Sequence, residues 1–309
     1  MSQLSVIIPI YNEEGNIPKL FERLSTVISQ LNVDCEYVFV NDGSRDQSIL
    51  LIKKLAAENS NVRYIDFARN FGHQVAVTAG LDYCSGNAMV IIDADLQDPP
   101  ELILELYRKW QEGFEVVYAK RRARDGESFL KKFTARTFYR TLKRITSINI
   151  PVDTGDFRLI DRKIVDVLKQ MPEQQKFLRG QISWIGFRQT YVEYDRDARH
   201  SGKTGYTYKK MIRLALDGIT SFSNLPLKFA TFAGFMVSGI AFIMILYALY
   251  SRFISKDYVP GWTSLMLAVL FIGGVQLICI GIIGEYISRL SSNVRNRPLY
   301  VVNETNILS

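Results

Sequence analysis

Two long stretches without a charged side chain constrain this chain more than any other feature. From Phe229 to Ser251, between Lys228 and Arg252, about 23 residues are uncharged (FATFAGFMVSGIAFIMILYALYS), and from Tyr258 to Gly284 about 27 more. A helix crosses a hydrocarbon core in roughly 20 residues, whereas helices buried in a soluble core usually run to some 10–14. Two such stretches in succession predict a pair of membrane spans. The whole chain has 309 residues, 48% hydrophobic and 22% charged, with a formal charge of +7. That average conceals two unlike parts, because most of the charge precedes Lys228. The expected division is a soluble domain over 1–200, a juxtamembrane loop with amphipathic helices over 201–228, two spans within 229–288 and a tail over 289–309.

Orientation follows from the basic residues. Lys203, Lys209, Lys210, Arg213 and Lys228 precede the first span and Arg289, Arg295 and Arg297 follow the second, while the connecting loop holds only Arg252 and Lys256. The positive-inside rule then predicts an integral inner or plasma membrane protein with its soluble domain and both termini cytoplasmic. The opening MSQLSVIIPIYNEE has no basic leader and too short an apolar run for a signal peptide, which agrees. Cys35, Cys84 and Cys279 are too few and too scattered for a disulfide framework or a zinc cluster, and read as buried thiols.

Before the spans, short β-branched runs recur at LSVIIPI (4–10), EYVFVN (36–41), VRYIDF (62–67), AMVIID (88–93) and EVVYA (115–119). Helical patterns separate them: one after Asn16, with Pro18 in its first turn and Leu20, Leu24, Val27, Ile28 and Leu31 on its buried side, and others after Asp46, near His73 and at Pro99–Pro100. This rhythm predicts an α/β fold, a Rossmann-like, parallel-rich sheet with helices on both faces. Ligands of such sheets sit beyond the carboxyl ends of the strands. Those ends are acidic here: Tyr11-Asn12-Glu13-Glu14, Asn41-Asp42-Gly43-Ser44 and Asp93-Ala94-Asp95-Leu96-Gln97-Asp98. With no glycine-rich phosphate cradle, a nucleotide diphosphate would need a cation, and the D-x-D turn of Asp93 and Asp95 offers hard carboxylate oxygens for Mg²⁺ or Mn²⁺. The missing G-x-G-x-x-G after the first strand counts against a dinucleotide oxidoreductase.

The ordered set VIIPIYNEE, VNDGS, RNFGHQVAVTAGL, DADLQDPPE and TGDFRLIDR, followed by a two-span tail, resembles the family 2 glycosyltransferases of GT-A fold. Within them it is similar to the polyprenyl-phosphate glycosyltransferases related to dolichyl-phosphate mannose synthase, and KKMIRLALDGITSFSNLPLK resembles the juxtamembrane segment of the bactoprenol-phosphate glucosyltransferase branch. The resemblance implies that Pro9, Tyr11, Glu13 and Asp42 hold the base and ribose, and that Asp93, Asp95 and Gln97 form the metal and diphosphate turn. It also implies that Asp156 lies near the acceptor, with Asp95 and Asp156 the catalytic carboxylates. Asp42 also reads as a turn former before Gly43, and the two readings are compatible. The segment Arg199-His200-Ser201-Gly202-Lys203-Thr204-Gly205-Tyr206 resembles the family's R-x-x-G-x-S-K-Y loop with two departures, so that Arg199 carries over to the diphosphate and Lys203 is an offset candidate.

Between Lys120 and Arg144 the chain is strongly basic. A helix from about Phe129 would line Lys132, Arg136, Arg140 and Lys143 along one side and Leu130, Phe138, Leu142 and Ile145 along the other, as membrane-surface helices do. A solvated face over a core stripe is the plainer reading, and nucleic acid is disfavoured by the spans and the acidic strand ends. A polyprenyl phosphate has its tail in the bilayer and its anionic head at the interface. By resemblance Lys120 or Arg121, with Lys132 and Arg136, grips that head. The expected reaction is inverting transfer of one hexose, by family preference glucose from UDP-glucose, to a polyprenyl phosphate. Since the acceptor phosphate is largely dianionic at neutral pH, Asp156 orients groups or stabilises charge more than it acts as a base.

His73 is expected to cap or pack rather than to take part in chemistry. Glu285, beside Tyr286 and Arg289, is expected to anchor the end of the second span at the interface. Gly273, Gly274, Gly281 and Gly284 would permit close helix approach, and hence a homo-oligomer of unstated number. Two other readings share the early motifs. A processive polysaccharide synthase would carry a Q-x-x-R-W signature, but Ser183 stands where its arginine belongs in Gln181-Ile182-Ser183-Trp184, and two spans cannot readily enclose a polymer channel. A non-catalytic scaffold would have lost Asp93, Asp95 or Asp156, and all three are present.

Overall fold

The computed structural model describes residues 3–122, 154–195, 223, 225–250, 253–254 and 261–307. Eight strands form one mixed sheet in the order β7-β5-β6-β4-β1-β2-β3-β8. They are β1 (Leu4–Ile10), β2 (Cys35–Asn41), β3 (Val62–Phe67), β4 (Ala88–Ile91), β5 (Val116–Arg121), β6 (Thr154–Asp161), β7 (Gln189–Tyr194) and β8 (Val302–Thr305). β1 is central and buried along its whole length, which explains why it reads as a continuous apolar run rather than an alternating one. Its Pro9 pairs with Val40 of β2, while the ladder to β4 has ended at Ile7↔Ile91, so the missing proline N–H falls where β4 has already turned away.

Helices α1 (Ile17–Ser29), α2 (Ser48–Glu58), α3 (His73–Tyr83), α4 (Ile103–Gln111), α5 (Arg162–Lys169) and α6 (Leu178–Ile185) accompany the sheet. α1 starts after Asn16 with proline in its first turn and buries Ile17, Leu20, Leu24, Val27 and Ile28. Each such side chain contributes about 1.5–3 kcal/mol on burial. Leu31 lies beyond the end of α1 and is only partly buried against that core. A second cluster, with Ile7, Val38, Ile65, Val77, Ile91, Tyr118 and Ile160, lies between the other face of the sheet and the helices α3, α5 and α6.

The sheet is parallel-rich as expected, with β1, β2, β3 and β4 parallel to one another and β5 parallel to β7, while β6 runs antiparallel to both β4 and β5 and β8 antiparallel to β3. The segment after the spans is no free tail: β8 is the sheet's last strand, Tyr300 stacks on Phe67 with ring centroids 5.1 Å apart, and the Tyr300 hydroxyl donates to Asp82 at 2.9 Å. A Cβ at Gly273, Gly274, Gly281 or Gly284 would meet nothing within 4 Å, so within the chain these glycines leave an open surface on the second long helix. All three cysteines are free; Cys84 is buried, Cys35 and Cys279 partly so. Burial, with help from Glu36, pushes the Cys35 thiol up to about 12, far from thiolate reactivity.

The two apolar stretches form α7 (Leu225–Tyr250) and α8 (Trp262–Val294). Almost none of either is buried within the chain, unlike core helices of a soluble protein, and their length and composition suffice to cross a membrane. They pack side by side and antiparallel: Cys279 Sγ meets the carbonyl of Ala230 at 3.5 Å, and the Tyr286 hydroxyl donates to the carbonyl of Ser223 at 2.6 Å. α8 runs past the expected end of the span, and Glu285 pairs with Arg289 one turn on at 3.3 Å.

Candidate active site

The order of the strands reverses at β1, with β2 and β3 to one side and β4 to the other, and the crevice at such a reversal is where open α/β sheets bind ligands. Two loops build its near wall. Asn12 takes a left-handed conformation (φ 55°), its N–H donates to Ser44 Oγ at 3.0 Å and its Oδ1 accepts from the Arg45 N–H at 2.8 Å. Glu13 and Glu14 are drawn to the same loop through Ser48 and Asp46, and Glu13 Oε2 accepts from Asn16 Nδ2 at 2.6 Å. Tyr11 stays exposed at the rim and Pro9 lies at the end of β1. Asp42 is buried, and its carboxylate accepts from the Phe71 N–H at 2.6 Å and the Gly72 N–H at 3.0 Å, holding the turn that leads into α3. Gly43 (φ 64°) must be glycine, because a Cβ there would come within 2.5 Å of the backbone of Arg69 and Asn70.

The far wall is the acidic turn. Asp95 Oδ1 accepts from the Gln97 N–H at 3.2 Å, and the buried Leu96 between them is held at φ 59°, a strained conformation for leucine. Asp98 is buried, accepts from the Tyr194 hydroxyl and has Arg121 Nη2 3.9 Å away, which ties the turn to the ends of β5 and β7. The two basic candidates on β5 therefore differ: Arg121 faces the acidic turn and Gly155, whereas Lys120 is paired with Glu193 at 2.7 Å. Lys132, Arg136, Arg199 and Lys203 lie outside the described residues.

β6 brings in the third carboxylate. Its antiparallel register with β4, Ala88↔Asp161 through Ile91↔Arg158, sets Asp156 opposite Asp93 when continued by two residues. Asp156 is surrounded by donors. Oδ1 lies 3.2 Å from both Arg158 Nη2 and Arg179 Nη2, and Oδ2 lies 3.3 Å from both His73 Nε2 and Gln74 Nε2. Burial alone would raise its pKa, but Arg179, His73 and Arg158 hold it well below the usual carboxylate range. Asp93 is its opposite: Oδ1 is buried and accepts no hydrogen bond, and His73 Nε2 lies 3.6 Å from it. Burial, reinforced by Asp156, Asp98 and Asp95 and opposed by His73, pushes Asp93 up to about 6.

His73 therefore does not merely cap or pack, since it bridges the two carboxylates. Burial would lower its pKa, yet Asp93 and Asp156 raise it to about 9, making it a cation at neutral pH. Gln74, Arg158 and Arg179 were not legible as site residues either. The only signal was their place inside RNFGHQ, TGDFR and FLRG, none of which specifies a partner. Among the described residues no three His, Cys, Asp or Glu side chains are arranged to hold a metal by themselves. The buried, unsatisfied oxygen of Asp93 beside Asp95 nevertheless fits a cation whose remaining ligands come from elsewhere.

Comparison with known proteins bears on the whole chain. Residues 5–168 match the family described as glycosyl transferase family 2, and residues 225–290 match the GtrB C-terminal hairpin. An uncharacterized glycosyltransferase of Bacillus subtilis (strain 168), YkcC, is 50% identical over 98% of this chain and 94% of its own. The SfII prophage-derived bactoprenol glucosyl transferase of Shigella flexneri is 40% identical over 98% of both chains. The prophage bactoprenol glucosyl transferase homolog of Escherichia coli (strain K12) is 40% identical over 97% of this chain and 98% of its own.

Proposed function

The chain belongs to glycosyl transferase family 2, with a GT-A sheet and a membrane-associated hairpin, and on that premise we propose that it transfers one glucose from UDP-glucose to a polyprenyl phosphate at the cytoplasmic membrane face. One observation supports the lipid acceptor above others. β8 lies beside β3, four strands from β4, and enters at the carboxyl end of β3, with Val302 against Phe67 and Thr305 against Ile65, so the base of the apolar hairpin joins the sheet on the side of the strands' carboxyl ends, where Asp93 and Asp156 also lie. A phosphate fixed at the bilayer surface by its own tail meets the site there. Relatives named as bactoprenol glucosyl transferases over nearly their full length agree with this choice.

The two carboxylates divide the work by their surroundings. Asp93 and Asp95, with Gln97, would hold Mg²⁺ or Mn²⁺ together with the donor diphosphate. When bound, the cation supplies positive charge to the departing diphosphate. Asp156 stays ionised among Arg158, Arg179, His73 and Gln74, which makes it a poor proton acceptor. It does not need to be a good one, because a phosphate monoester with a second pKa of about 6 attacks as the dianion. Asp156 instead holds its cationic neighbours in place, and Arg179 and Arg121 offer positive charge to an incoming phosphate. Pro9, Tyr11, Glu13 and Asp42 shape the nucleoside end of the cleft, with Arg199 and Lys203 directed to the diphosphate and Lys132 and Arg136 to the acceptor.

In-line attack by the acceptor phosphate inverts the anomeric carbon. The α-linked glucose of UDP-glucose must then appear as the β-linked lipid phosphate, which NMR of the product with a synthetic prenyl phosphate reads directly. An α-linked product would refute the direct displacement.

A further inference from the structure

The residues between α5 and α6 touch both the membrane hairpin and the reacting edge. At one end, the Gln174 backbone N–H donates to Asn293 Oδ1, in the last turn of α8, at 3.1 Å, and its side-chain amide donates to the carbonyl of Arg297, just beyond that helix, at 2.9 Å. At the other end, the Leu178 N–H, at the start of α6, donates to Gln74 Oε1 at 3.2 Å. The same Gln74 amide donates through Nε2 to Asp156 Oδ2 at 3.3 Å. Arg179, the next residue of α6, lies 3.2 Å from Asp156 Oδ1. Between the ends, Lys176 Nζ donates to the carbonyl of Met171 at 2.6 Å, and Glu173 Oε2 accepts from Gln181 at 3.1 Å, which keeps the segment closed on itself.

A glutamine side chain is suited to the inner clasp because it donates and accepts at once without carrying charge. Here it joins α3, β6 and α6 at one point. A carboxylate in this position could accept from Leu178 but would repel Asp156, and an alanine would do neither.

We infer that Gln174–Leu178 is a strap that sets the height of the active site above the bilayer, and that Gln74 is the positioning residue through which the strap fixes Asp156 and Arg179. The inference rests on the reading of the acceptor as a membrane-held phosphate. An acceptor fixed in the bilayer cannot move to meet a displaced site, and a misplacement of about 1 Å costs on the order of a hundredfold in rate. A short, water-soluble acceptor can follow the site wherever it sits.

The test uses the full-length protein in nanodiscs, UDP-glucose, and two acceptors, bilayer-embedded undecaprenyl phosphate and water-soluble dimethylallyl phosphate, whose short chain does not hold it in the bilayer. Gln174→Ala combined with Asn293→Ala is expected to lower the rate roughly tenfold or more on the embedded acceptor and less than about twofold on the soluble one. Equal rates with wild type on both, or equal losses on both, would overturn the strap. Gln74→Ala is expected to lower kcat roughly ten- to a hundredfold on both acceptors with KM for UDP-glucose nearly unchanged, and Gln74→Glu to restore none of it. Recovery in Gln74→Glu would reduce Gln74 to a structural contact with Leu178. Should Gln74→Ala unfold, the double variant, remote from the carboxylates, decides alone. If wild type glucosylates neither acceptor, the proposed function fails rather than the strap.

Discussion

At the level of single residues, acidic side chains and the groups that answer them divide the site into two halves. Asp95→Asn removes one of the two carboxylates available to a cation, and turnover is expected to fall at least a hundredfold with added Mg²⁺ or Mn²⁺. Undiminished activity would contradict the metal assignment. Gly43→Ala, with its Cβ 2.5 Å from backbone and φ at 64°, is expected to cost on the order of 2 kcal/mol or more in thermal unfolding, since neither neighbour can yield. Asp93 and Asp95 stood out in the sequence because acidic residues at strand ends are chemically conspicuous, and Asp156 came to notice only through the resemblance of TGDFRLIDR. Their partners stood out in neither way. Gln74 lies 82 residues from Asp156 along the chain and Arg179 lies 23 from it, and only the antiparallel register of β6 brings them together. His73 was misread for the same reason: a histidine at a helix start has a plain local role, and nothing local announces two carboxylates.

Among the elements, the strands that the sequence marked clearly are those buried on both faces. β1, β2 and β3 are continuous β-branched or aromatic runs and were found nearly residue for residue. β7 (QTYVEY) alternates exposed and buried positions at an edge, and β8 has four residues, too few for any pattern to stand out. β6 was visible only as a motif, and its direction depends on residues distant in the chain. β8 is held by side chains as much as by its ladder: Lys53 pairs with Glu304, Tyr64 donates to Glu304 at 2.7 Å, and Asp66 accepts from Asn303 at 2.9 Å. Tyr300→Phe keeps the stack on Phe67 but leaves Asp82 without its hydroxyl donor. The expected cost is about 1–2 kcal/mol, read as a lower midpoint in thermal unfolding. No change would mean that the stack alone holds this segment.

For the whole molecule, β8 has a topological consequence. Since it pairs with β3 after the chain has passed through α7 and α8, the soluble domain and the C-terminal segment lie on the same side of any membrane the hairpin crosses. By the positive-inside rule the basic residues flanking the spans predict that this side is cytoplasmic. Cysteine placed at Lys256 is expected to react with an impermeant thiol reagent in intact cells, and cysteine placed at Ser309 only after lysis; the reverse would invert the topology. The central claim, a metal-assisted transfer of one sugar to a membrane-held phosphate, is tested most directly by one measurement. Detergent-purified protein is given undecaprenyl phosphate and a panel of radiolabelled UDP- and GDP-sugars, with and without EDTA, and label is counted in the organic extract. Label entering the lipid from UDP-glucose and abolished by EDTA is the expected result. Label that enters only a water-soluble or polymeric product, or that enters the lipid unaffected by EDTA, would contradict it.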